Sequence, residues 1–331
     1  MEWLYKISIT CFAASYLVVF ALEISRVFFD ASIRKFVRVT FATAGLFAHT
    51  VYLIMQGMLE IDATGIWLNS WFAWCLATAW VLAAAYLWIS VRQSKSVLGL
   101  FLLPAILVLI AVGIQFGSEN LFTVGHAKTV WSTVHGSSLL LGTAVVVLGF
   151  VFGVVYLIQA NRLKRKLPQS KHFRLPSLEW LQKSSETSLV TSTVLLAVGL
   201  ISGIAINLIR QSGEGSAGAI AWTEPVIWTS AILFLWLLTV SIFSFVYQPA
   251  RQGRKVAYLV VTCFLFLVLE LVIVWRTGHA VNSDTAKTHR LDAGKTAIRP
   301  ASLINTVNIS EIEGDKFQTN NIQANEMEVS L

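Results

Sequence analysis

Charge is scarce in this chain. Asp, Glu, Lys and Arg make up 13% of its 331 residues, where soluble globular domains carry about 25%. With a hydrophobic content of 56%, that deficit excludes an ordinary soluble domain. Cysteine is scarcer still. Cys11, Cys75 and Cys263 lie far apart, each inside an apolar run. Without a CxxC pair, neither thiol exchange nor a zinc knuckle has support, and small buried hydrophobes are the simpler reading. No P-loop or dinucleotide glycine pattern occurs, which argues against ATP-driven transport by the chain itself. No nucleophile stands beside a base, internal repeats are absent, and so are low-complexity tracts.

What the chain does have is apolar runs. A membrane span takes about 20 apolar residues. Eight such stretches are expected at roughly 7–27, 38–58, 70–91, 97–116, 134–159, 187–209, 225–247 and 256–276. Lipid offers no partner for an open strand, so each is expected to be a helix. The fold class is therefore all-α, a polytopic integral membrane protein of about eight transmembrane helices. The first run is followed by Arg34, Lys35 and Arg38 rather than by a small-residue cleavage site, and reads as a retained span.

The loops alternate in charge. Those after spans one, three, five and seven are basic, "NRLKRKLPQSKHFR" most strongly, whereas the intervening ones hold few bases. The positive-inside rule puts the basic loops in the cytoplasm and both termini outside. It also accounts for the net charge of +7 without nucleic acid. Residues 1–280 form the membrane domain and 281–331 a polar tail with the composition of a disordered segment. "LPSLEWLQKSSE" reads as a short surface helix with Leu178, Trp180 and Leu181 towards lipid. Gly149–Gly153 and Gly199–Gly203 have GxxxG spacing and are expected to join helices five and six.

Against this background a few polar residues stand out. His135 opens span five on the outer side, and His279 follows span eight, also outside. His49 falls in the outer half of span two, roughly 10–15 Å below the boundary at 1.5 Å per residue. An ionisable group at that depth is by default a functional candidate. Trp67, Trp71 and Trp74 share a helix face, and Trp131, Trp222, Trp228 and Trp275 also lie near the outer boundary, while the inner boundary holds Trp88 and Trp180. A symmetric aromatic belt does not produce such a one-sided crowd. Neutral imidazoles beside flat apolar surface suit heme, whose commonest axial ligand is histidine. Zinc fits less well, because the outer loops hold few close-spaced partners. Glu270, in the outer third of span eight, either serves such a site or ties helices together.

The order of these features resembles the cytochrome c assembly membrane proteins of the CcsA type, and within them the smaller HemX-like branch. The resemblance covers roughly 40–280. It rests on "VHGSSLLLGT…VVYLIQANRLKRK", on "LPSLEWLQKSSE…AVGLISGIAINL", on the loop "AIAWTEPVIW", and on "GRKVAYLVVTCF…TGHA". In that family heme is bound on the outer face between paired histidines flanking a tryptophan-rich loop. The resemblance thus implies His135 and His279 as axial ligands to heme iron. It implies Trp222 and Trp228, with Trp71 and Trp74, as the platform, and His49 as an intramembrane ligand or relay. Ile220 stands at the family loop's first tryptophan and Thr223 at its aspartate.

The leading expectation is a heme-binding or heme-handling protein of cytochrome c maturation in a bacterial inner membrane. It would lack independent enzyme activity and would work with other maturation subunits, apocytochrome c and the lipid bilayer. The altered loop favours an alternative, a regulator or scaffold of heme biosynthesis or cytochrome assembly. A secondary transporter ranks third, because paired broken repeats are missing.

Overall fold

The computed structural model describes residues 9–26, 33–64, 70–93, 97–116, 130–166, 175–212, 222–223, 225–246 and 254–273. They form eight α-helices: α1 (Ile9–Ser25), α2 (Ile33–Thr64), α3 (Trp71–Arg92), α4 (Gly99–Phe116), α5 (Val130–Lys164), α6 (Leu178–Ser212), α7 (Pro225–Val246) and α8 (Arg254–Ile273). Each coincides with one of the expected runs. Six are long and apolar enough to cross a membrane, whereas α1 and α4 are shorter apolar helices. The chain is a multi-pass membrane protein, all-α throughout its described part.

Local chemistry sets the helix starts. Ser70 caps α3, its hydroxyl accepting from the Ala73 amide at 3.1 Å and donating to Glu60 Oε1 at 2.9 Å. One side chain thereby satisfies an orphan amide and ties the end of α2 to the start of α3. Ser177 caps α6 in the same way, its Oγ taking the Trp180 amide at 3.3 Å.

That second cap corrects the expected surface helix. Residues 178–186 are the first turns of the 35-residue α6. Leu181 is fully buried, and Trp180 meets Phe152 edge-on at 5.5 Å between ring centres. The segment reads as polar because of its serines. Ser185 and Ser188, however, face the interior, where small hydroxyls let helices approach closely.

Neighbouring helices run antiparallel. Leu139 and His135 of α5 meet Gly199 and Gly203 of α6, and further along Gly149 meets Ser188. The two glycine pairs do different work. A Cβ on Gly199 would stand 2.7 Å from Leu139, so that pair joins α5 to α6 as expected. Gly149 lies between α6 and α8, since an added Cβ would stand 3.2 Å from Ser188 and 3.3 Å from Val260, whereas one on Gly153 would meet the Ala257 carbonyl of α8 at 3.3 Å. The expectation that both pairs join α5 to α6 thus holds for Gly199, Gly203 and Gly149, while Gly153 receives α8. Phe150 stacks on Phe264 at 4.0 Å, and Arg254 donates to the Ala160 carbonyl at 3.0 Å. Two buried clusters result, one centred on α1–α5 and one on α5–α8.

Candidate functional site

His135 sits near the start of α5, half-buried against α6. Its Nδ1 donates to the Gly199 carbonyl at 2.7 Å. A carbonyl can only accept, so Nδ1 carries the proton and the neutral ring keeps its lone pair on Nε2. This is the arrangement of a metal-ligating histidine, whose other nitrogen is usually fixed to a carbonyl or carboxylate. Gly203 makes room for the ring, since a Cβ there would stand 2.8 Å from Cε1 and 3.0 Å from Nδ1. Beside it, the Trp74 indole lies 3.8 Å from where a Cβ on Gly136 would be. The start of α3 thus borders the His135 corner, with Trp71 half-buried one turn before.

The other tryptophans are open. Trp222 is 44% exposed and donates to Gln211 Oε1 at 3.4 Å, and Trp228 is 61% exposed at the start of α7. Both offer apolar surface, and neither shares a hydrogen bond or ring contact with His135. His279 lies outside the described residues, as do Trp67, Trp275, His126, His172 and His289.

His49 belongs elsewhere. It is fully buried, stacked on Phe12 with 4.2 Å between ring centres and 1° between planes. Its Nδ1 shares a 3.2 Å hydrogen bond with the Tyr16 hydroxyl. Nε2 reaches no partner at hydrogen-bonding distance and angle, and the Leu76 backbone of α3 lies against the ring. His49 therefore knits α2 to α1 and α3. A convergence of His49 with His135 is not found, because α2 packs on α1 and α3 while His135 faces α6. Tyr16→Phe should leave Nδ1 without its partner. A loss of about 1 kcal/mol is expected for a buried bond of this kind, read as a lower unfolding midpoint of the detergent-solubilised protein.

The most heavily charged interior site was not anticipated. Glu23 of α1 is 1% exposed, and its Oε1 accepts from Arg38 Nη1 at 2.9 Å and from the Tyr86 hydroxyl at 3.1 Å. Arg26 approaches Oε2 at 3.7 Å. Gly99, the first residue of α4, admits no side chain, since a Cβ would fall 2.6 Å from Glu23 Oε1. The carboxylate thus also faces the positive end of α4. Four helices meet on one charge. Glu270, the acid singled out in the sequence, accepts from Ser230 at 2.6 Å and ties α8 to α7.

Does this arrangement fit heme? At His135 the Nδ1–H tautomer and its carbonyl support suit a metal ligand, and the Trp74 indole borders the next residue, Gly136. At His49 it does not, because Phe12 covers one ring face and the ring has no exposure. Two crevices among the described residues, lined by Ser185 and by Ser188 with Cys263, leave room for at most about 10 Å³. Ordinary ligand pockets hold about 300 Å³ or more, so neither takes a porphyrin. No group of three His, Cys, Asp or Glu side chains suited to a bare metal ion occurs among the described residues. No protein-family model, curated protein or solved structure matches the chain.

Proposed function

We propose that this chain handles heme on its outer face during cytochrome c maturation, as an eight-span protein of a bacterial plasma membrane with both termini outside. The observation that carries the reading is the His135–Gly199 bond, which fixes the proton on Nδ1 and leaves Nε2 as the free donor atom near the start of α5. The alternating basic loops and the order of motifs along the sequence support it. α1 and α4, at 17 and 18 residues, stay within the range of about 17–25 that a bilayer needs.

In this reading His135 would hold heme iron and the indoles of Trp71, Trp74, Trp222 and Trp228 would cover the ring; His279, the second ligand the resemblance implies, lies outside the described residues. Heme would supply the porphyrin that becomes linked to the apocytochrome. The protein's own residues bind it, orient it and keep one face dry. His49 serves the packing of α1–α3. A partner subunit brings the apocytochrome, and the chain itself makes or breaks no bond.

The test is an absorption spectrum of the purified protein after heme supplementation. A Soret band is expected in the parent, with loss of most of it in His135→Ala. A parent without the band, or an unchanged His135→Ala, overturns the reading. A second reading, a scaffold that holds no heme, is favoured by Ile220 and Thr223 in the outer loop and by the small interior voids. Cross-linking separates the two: a scaffold traps cytoplasmic enzymes, a heme handler traps outer-face partners.

A further inference from the structure

We infer that Ser202 sets the donor strength of His135 through a carbonyl the two residues share. Gly199 O accepts from His135 Nδ1 at 2.7 Å and from Ser202 Oγ at 2.8 Å. Ser202 Oγ also lies 2.7 Å from the Val198 carbonyl. The serine is 1% exposed, so water does not compete for its hydroxyl. Its one hydrogen is divided between two carbonyls. When it turns to Val198, Gly199 serves the imidazole alone. When it turns to Gly199, two donors draw on one oxygen and the bond to Nδ1 weakens.

That difference reaches Nε2. A stronger Nδ1–H···O=C bond gives the ring more imidazolate character and makes Nε2 a better electron donor, the usual lever of groups one step away from a metal ligand. Gly203 completes the seat. With a Cβ within 3.0 Å of the ring, the imidazole would have to tilt away from Gly199. Ser202 and Gly203 are positioning residues for the His135 ring. The GxxxG pair of α6 therefore does more than let helices approach. It builds a socket for one ring in one tautomer.

The idea rests on the heme reading only for its consequence at iron, and its first test needs no heme. The full-length protein, labelled with ¹⁵N-histidine and studied in detergent in mildly alkaline buffer, should show His135 as the Nδ1–H tautomer, assigned by His135→Gln. Ser202→Ala should keep the tautomer and move the Nδ1 proton downfield, the mark of a stronger bond. Gly203→Ala should mix the tautomers. An Nε2–H tautomer in the parent, or an unmoved Nδ1 proton in Ser202→Ala, overturns the inference, and the serine variant decides alone should Gly203→Ala misfold. In the heme-loaded protein Ser202→Ala should lower the midpoint potential. Gly203→Ala should weaken heme binding by about 10–100-fold, the usual cost of disturbing such a supporting group. A parent with the right tautomer, a shifted Ser202→Ala and no heme binding would remove the heme reading and leave the shared carbonyl standing.

Discussion

Arg38→Ala is expected to destabilise the folded protein by about 3–5 kcal/mol, the cost of leaving one half of a buried ion pair without the other. Glu23 and Arg38 are almost wholly buried and bond at 2.9 Å. Removing the guanidinium strands a carboxylate whose remaining nearby cation, Arg26, stands 3.7 Å away. Glu23→Ala should cost a similar amount for the opposite reason. Replacing both, as Glu23→Gln with Arg38→Met, should recover most of the loss, because the desolvation of two charges disappears with the attraction between them. Chemical unfolding in detergent, followed by tryptophan fluorescence, measures all four proteins. Single variants as stable as the parent would show that the pair is solvated and that its burial carries no weight.

Gly153→Leu should cost about 1–3 kcal/mol or more, in the range of overpacked cores. The atom a side chain meets first belongs to the main chain of α8, the Ala257 carbonyl at 3.3 Å, followed by Val261 Cγ2 at 3.6 Å and the Ala257 Cα at 3.8 Å. A backbone cannot turn aside as a rotamer can, so α8 has to move. Gly136→Ala is the control. Its added methyl would meet only the Trp74 ring, at 3.8 Å, an ordinary contact, and stability should stay within about 0.5 kcal/mol of the parent. Equal stability of Gly153→Leu and Gly136→Ala would mean that α8 does not rest on α5.

The helices were legible because lipid leaves the backbone one solution and bilayer thickness fixes its length. The start of α6 was not. Its serines look like solvent-facing residues, yet Ser185 and Ser188 are buried against neighbouring helices, where small hydroxyls allow close packing. His135 stood out as an imidazole at the mouth of an apolar run. Its seat lies 64 residues away on α6 and was visible only as glycine spacing. Glu23 escaped notice for a related reason. It stands near the end of the first apolar run, where an acid looks interfacial, and its partners come from two other helices, Tyr86 being 63 residues distant. The histidine in span two stood out as a candidate ligand or relay. What it touches is an aromatic pair on α1, which periodicity does not disclose.

Glu23 also bears on how the protein is made. Helices leave the ribosome one after another, and α1 precedes α2, α3 and α4, carrying a carboxylate on the same face as Phe12, Tyr16 and Val19. Until α2 delivers Arg38 and α3 delivers Tyr86, only Arg26 at the end of α1 answers that charge. α1 is therefore expected to settle in lipid together with α2, α3 and α4, as one cooperative group.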